Sequence, residues 1–409
     1  MRYVSRSTEF SDGDYKAKYL LSGGRLFGLR RTAEGALVPA FGTEKLQQEG
    51  MPAAAQAAYF SSGGDLYLYN SGSLYRSTGA YGNFFLFGSN FTSPPFFAEC
   101  HEGEEDFAII SDGSLALRAE ESSVQDDTCP PVCSAVVHYS RLFGVDTSDK
   151  RMVRWSAAGD AHDWTENISG AGYVRLDAPR GDISKLVVFD DKLIAVRKYG
   201  LTVLRVFGDA ESFRVDVTDT DTDEIIADTV SVCGGKLYFF TPSGLYRYDG
   251  TVERYEPEGL EEFCEAACAA ACGGWLYAGG KLGEDDVIAC IGCESGEVSY
   301  IKQRADCICA AGRVFFFGDG LYEIKPDAAS SGEWESDVLD FGTPEKKFLE
   351  RVEAAGSVSS LTVNCGGRSR TFTGGGNTFK TGICGRQFTF SLVCSGKVYR
   401  LCARYAIRR

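Results

Sequence analysis

The chain has 409 residues, 44% of them hydrophobic and 12% aromatic, with 48 glycines against 11 prolines, which excludes a disordered polymer and, at this length, a single ordinary core unless that core is a repeat array. The net charge of −15 is unevenly spread: residues 331–409 hold 12 Lys and Arg against 7 Asp and Glu, while the preceding 330 hold 30 against 50. The acidic part argues against nonspecific or sequence-specific nucleic-acid binding, and the change of sign predicts a domain boundary near residue 330.

From the start, Met1-Arg2-Tyr3-Val4-Ser5-Arg6 leads into no apolar run, so no signal peptide is expected. No stretch approaches the roughly 20 apolar residues of a bilayer span, so no membrane partner is expected either. Fifteen cysteines, an odd number in a long chain, are expected to be reduced and mostly buried.

A pattern then recurs: a Gly or small-residue pair, an aliphatic-aromatic strand, a Gly turn and a second strand. It starts near residues 23, 63, 105, 139, 190, 233, 272 and 310. The clearest copies are Cys233-Gly234-Gly235-Lys236-Leu237-Tyr238-Phe239-Phe240, Cys272-Gly273-Gly274-Trp275-Leu276-Tyr277 and Ala311-Gly312-Arg313-Val314-Phe315-Phe316-Phe317. A spacing of about forty suits a four-stranded propeller blade. The segments before the Gly pairs, such as Ala266 to Cys272, are small-residue runs that fit innermost strands crowded at a central axis. By propensity alone Cys264 to Cys272 could be a helix; its register with the other repeats predicts a strand. The expectation is an all-β chain: a β-propeller over 1–330, eight blades favoured and seven the alternative, with residues 1–22 closing the ring. A small antiparallel β-sandwich follows over 331–409, where the rhythm changes to short strands such as Arg370 to Thr373 and Val398 to Ile407.

Candidate chemistry is sparse. His101, His138 and His162 are not at metal-ligand spacing, and His138 reads as a core residue. His162 lies between carboxylates in Gly159-Asp160-Ala161-His162-Asp163-Trp164, a pattern that a turn explains. Asp219, Asp221 and Asp223 open an acidic run like a calcium loop, but Glu224 and Val230 stand where that loop needs Gly and Glu, so they are only weak metal candidates. Cys290, Cys293, Cys307 and Cys309 resemble a four-thiolate set with one spacing too short for zinc. No nucleophile elbow, zincin helix or P-loop is present, so no enzyme and no cofactor are expected.

The stretch from Arg141 to Gly208 carries the most specific content: Arg141-Leu142-Phe143-Gly144-Val145, then Val153-Arg154-Trp155-Ser156, then the His162 loop, then Lys192-Leu193-Ile194-Ala195-Val196-Arg197. With Gly244-Leu245-Tyr246-Arg247-Tyr248-Asp249-Gly250, and with Trp334-Glu335-Ser336 and Asp340-Phe341-Gly342 beyond the repeats, it resembles the propeller proteins of bacteriophage tails, similar to the nozzle of short-tailed phages. The resemblance implies a non-enzymatic structural component of a phage or prophage tail, assembled in the bacterial cytoplasm and located in the virion. Its partners would be other tail proteins and further copies of itself, met through blade loops and the basic C-terminal domain. The alternatives are a glycan-binding propeller for surface attachment, with Trp155, Trp164 and Trp275 as ligand-stacking candidates, and a glycan-acting hydrolase.

Overall fold

A computed structural model describes residues 15–408 except 80, 104, 167, 168, 178, 218–221 and 375. It falls into two compact units, one of residues 44–296 and 302–323, the other of residues 1–43, 297–301 and 324–409.

The larger unit is a β-propeller. Six sheets are four-stranded, and in five of them the strands run antiparallel in chain order. The first is Ala57–Phe60, Leu66–Asn70, Ser73–Ser77 and Phe84–Ser89. The second is Phe96–Glu102, Glu105–Ser111, Ala116–Ala119 and Ser123–Gln125. Val132–His138, Arg141–Asp146, Met152–Trp155 and Gly172–Arg175 make the third. Ile183–Phe189, Lys192–Arg197, Gly200–Arg205 and Arg214–Val217 make the fourth. The fifth is Ser231–Cys233, Lys236–Thr241, Gly244–Tyr248 and Val252–Arg254. A sixth meander follows in Phe263–Cys272, Trp275–Leu282 and Asp285–Gly292. The closing sheet is Cys307–Ala310, Val314–Phe317 and Leu321–Lys325, completed by the early strand Gly42–Leu46.

The Gly pairs read from the sequence are two-residue hairpin turns. Cys233 pairs with Lys236 across Gly234-Gly235, and Cys272 with Trp275 across Gly273-Gly274. All four glycines have positive φ, as the turn that matches strand twist requires. The second strands alternate little because both faces are covered: Val314–Phe317 is buried throughout. Apolar clusters form between neighbouring sheets, and one joins Phe60, Leu66 and Leu68 of the first sheet to Cys307, Phe315 and Phe317 of the closing one. That contact closes the ring. Phe263–Cys272 is a strand, as its register predicted, with a bulge between Cys264 and Cys268.

Several expectations change. The first hairpin, from Gly23, starts no four-stranded sheet of its own: Arg25–Phe27 pairs with Gly332–Glu335, where the Trp334 indole N–H donates to the Gly23 carbonyl at 2.7 Å. The closing strand is Gly42–Leu46, whereas Tyr15–Tyr19 pairs with Cys402–Ala406. The thiols are not all reduced: Cys233 and Cys293, with Cα atoms 6.2 Å apart, form a disulfide from the fifth sheet to the end of the sixth meander. The other thirteen cysteines are free.

The smaller unit is built on two 19-residue strands, Lys347–Cys365 and Thr389–Ile407, paired along their lengths. Register shifts cluster between Ala355 and Ser360. Gly356 sits there at φ +132, where a Cβ would run into the Lys397 carbonyl. Thr378–Gly385 and Tyr15–Tyr19 flank one half of the long pair, Arg368–Thr373 and Gly332–Glu335 the other. Side chains of both halves, among them Leu349, Val352, Leu361, Val363, Phe390 and Leu401, share one core with Trp334. The small domain expected over 331–409 alone therefore includes strands from the start of the chain, because that core also needs Leu26, Leu29 and Leu37.

Candidate binding cleft

The first and second sheets enclose a cleft of about 700 Å³. Its wall carries six carboxylates, Asp65, Glu99, Glu105, Asp106, Glu120 and Glu121, against one arginine, Arg76, and one histidine, His101. Hairpin turns and the first, second and third strands supply these groups, so they converge only when the sheets pack.

Arg76 is the structural pin of the cleft. Its Nε–H donates to Asp65 Oδ2 at 2.8 Å, and its Nη1 to the backbone carbonyls of Glu120 and Glu121. The guanidinium also lies over the Tyr67 and Phe87 rings, at 5.7 and 5.1 Å from their centroids. These contacts consume both the charge and the donors of Arg76 and tie the first sheet to the second. Glu99 Oε1 accepts from the Tyr59 hydroxyl at 2.9 Å and from the Ser62 amide at 2.8 Å. Burial, then the Glu99 charge, pushes the Tyr59 phenol far above its usual range; burial raises Tyr67 to about 12. Both phenols therefore stay neutral donors. His101 Nδ1 and Asp106 form an exposed pair at 2.5 Å.

Behind the cleft, Arg118 is bound to Glu105 at 2.6 Å and to Glu120 at 2.8 Å, with its guanidinium 4.0 Å from the Phe107 centroid. Its Nη1 lies 3.1 Å from His162 Nε2. Arginine can only donate, so Nε2 accepts and Nδ1 carries the proton toward Thr128 Oγ1, 2.8 Å away. His162 also stacks on Phe107 at 5.5 Å, and the Ala161 amide of the same loop donates to Glu102. The loop is thus a latch from the third sheet onto the second, which is the turn role that its sequence predicted.

The other candidates do not converge. Trp155 is 7% exposed in the core between the third and fourth sheets, its indole N–H donating to the Gly170 carbonyl. Trp164 bonds the Ala161 carbonyl and packs against the core between the second and third sheets. Trp275 opens the second strand of the sixth meander. They lie on separate sheets or loops and make no common aromatic surface. Asp219 and Asp221 lie outside the described residues, and Asp223 is exposed. No group of three or more His, Cys, Asp or Glu among the described residues is placed to hold a metal ion. Of the four-thiolate set, Cys293 is in the disulfide, while Cys290, Cys307 and Cys309 are buried, with burial driving their thiols upward, away from the thiolate. No helix among the described residues is long and apolar enough to cross a membrane. Apart from His101, the sequence does not single out the cleft residues: in so acidic a chain, carboxylates stand out only once sheet packing groups them.

No protein-family model and no curated protein sequence matches the chain. Solved structures do. Catalytically inactive virginiamycin B lyase from Staphylococcus aureus, crystallised with quinupristin, superposes with a TM-score of 0.51 at 9% identity, covering 70% of this chain and 99% of that one. The extracellular domain of the putative hybrid two component system BT4673 from B. thetaiotaomicron gives 0.50 at 9% identity, covering 87% of this chain and 58% of that one. At such identity these likenesses show the propeller fold alone.

Proposed function

We propose that this protein is a non-enzymatic assembly component, and that the assembly is a bacteriophage or prophage tail, as the sequence resemblance implies. The observation that carries the reading is the division of charge between the two units. The propeller unit holds 22 Lys and Arg against 44 Asp and Glu, the smaller unit 20 against 13. A balance of −22 beside one of +7 in a single chain gives each unit a field suited to a different partner surface. The carboxylate-rich cleft is where the acidic unit would take cationic side chains of a neighbouring tail protein or of another copy. In this reading the larger unit is a seven-bladed propeller and the smaller one a sandwich made by folding a single sheet across Gly356.

The test is peptide mass spectrometry on density-purified particles induced from the host bacterium. The chain is expected at a fixed stoichiometry to capsid proteins. Complete particles that lack it would remove the tail reading.

A further inference from the structure

One outer strand of the propeller lacks the protection that its counterparts carry. An outermost strand leaves a backbone edge unpaired, and charged side chains normally keep other chains from joining it. Arg175 stands in the outer strand of the third sheet, Arg214 and Asp216 in that of the fourth, Glu253 and Arg254 in that of the fifth, and Glu44 and Lys45 in that of the closing sheet. Ser123–Gln125 of the second sheet is uncharged but only 3 residues long. Phe84–Ser89, outermost in the first sheet, has 6 residues and no charge, and no charge occurs anywhere from Ser77 to Ala98. It pairs with Ser73–Ser77 and with no other strand among the described residues.

That strand holds apolar side chains out in solvent. Phe85 is 43% exposed and Leu86 58%. The Ser123 hydroxyl donates to the Phe87 carbonyl at 2.7 Å, which sets Val124, 63% exposed, beside them. Exposed Glu121 and Asp127 flank Val124 in the chain and form no ion pair among the described residues. Glu121 also lines the carboxylate cleft, so the patch continues that acidic surface. An apolar patch with a polar rim marks an interaction site. The acidic rim repels anionic lipid and nucleic acid, and selects a partner whose exposed rings stand among cations.

The smaller unit presents that complement. Tyr19 is 62% exposed and Tyr399 63%. The Leu20 amide donates to the Leu401 carbonyl at 3.0 Å, which brings the segments bearing the two tyrosines together. Exposed Lys16, Lys18 and Arg400 stand on the same two strands and form no ion pair among the described residues. We propose that Phe85, Leu86 and Val124 of one copy dock on the Tyr19–Tyr399 surface of a second copy, with Glu121 and Asp127 against its free cations. Each copy carries both surfaces, with opposite charge around each, and this complementarity favours a second copy over an unrelated partner. Because the two surfaces differ, the contact is head-to-tail. A small apolar centre with a charged rim gives a weak, salt-sensitive contact. The inference rests on the assembly reading and deepens it by naming the partner.

The test is sedimentation velocity of the purified full chain across a concentration series. Association is expected at micromolar concentration and should weaken about tenfold or more between about 50 and 500 mM salt. Leu86→Lys and Tyr399→Glu should each abolish it alone; both side chains are exposed, so neither melt should move. An equimolar mixture of the two variants should restore a 1:1 dimer, since each still carries the surface that the other has lost. A parent that stays monomeric, association that both variants leave intact, or a mixture that stays monomeric would overturn the docking. A monomeric chain that is nonetheless present in purified particles would remove this contact and leave the tail reading standing. A self-associating chain absent from particles would do the reverse.

Discussion

The two units solve the same problem, burying β-sheet faces, in opposite ways. The propeller repeats one short meander and stacks the copies, so each core is shared by neighbours and no single residue holds the unit together. The smaller unit runs two 19-residue strands through both halves and relies on a single core. Damage should therefore stay local in the first and spread in the second.

The largest expected effect is in the smaller unit. Trp334 is fully buried in the shared core and bonded to Gly23. Trp334→Ala should cost about 3–5 kcal/mol and lower one calorimetric transition, with the propeller transition unmoved. If both transitions fell together, the units would not be energetically separate. Next comes the disulfide, which closes a separation of 60 residues inside the propeller. Cys233→Ser, or a reductant, should cost roughly 2–4 kcal/mol and move only the propeller transition. Reductant should lower the propeller transition of the parent and leave that of Cys233→Ser unmoved, whereas a parent indifferent to reductant would mean that the disulfide contributes nothing.

Asp112 offers a pH-dependent test of a single sheet. Burial alone would raise its pKa, but hydrogen bonds from the Leu115, Ser114 and Thr92 amides and the Ser114 hydroxyl outweigh it and hold the carboxyl well below its usual range. A folded pKa below the unfolded value of about 3.9 means stability that is fully present above that value and is lost progressively as pH falls below it toward the folded pKa. Asp112→Asn should cost about 1.5–3 kcal/mol at pH 7. The gap to the parent should narrow in urea melts as pH drops below about 4. A gap that stays constant from pH 7 to 3 would mean that the charge of Asp112 contributes nothing.

The sequence disclosed what is local and periodic. The Gly pairs and the strand at Phe263–Cys272 are each set by neighbouring residues, and each has its counterpart in the structure. What it hid depends on long-range pairing. Nothing near Gly23 tells that Arg25–Phe27 joins Gly332–Glu335 rather than a propeller sheet, and nothing near Cys233 names Cys293 as its partner. The tryptophans were misleading for a physical reason. A large ring is most often core, and Trp155 is, whereas Tyr139 and Phe207 are among the exposed rings and stand on turns. The one local signal for them was Tyr139-Ser140 standing where other repeats carry Gly-Gly.

That signal supports the smallest and most discriminating prediction. Gly273 occupies in the sixth meander the turn position that Tyr139 occupies in the third sheet, at φ +59 and +46 respectively. A Cβ at Gly273 would meet nothing within 4 Å, so Gly273→Ala changes backbone preference without a clash. It should cost about 1–2 kcal/mol, the left-handed penalty of an L-residue. Tyr139→Asn should run the other way and gain up to about 1 kcal/mol, since Asn visits that region readily. Opposite signs at equivalent positions, measured by urea denaturation, would show that the third sheet carries strain that its sister meander lacks. Equal signs would mean that packing of the Tyr139 ring against Phe207 and His138 more than offsets the turn, and the exposed pair would then be held by stability rather than kept at its expense.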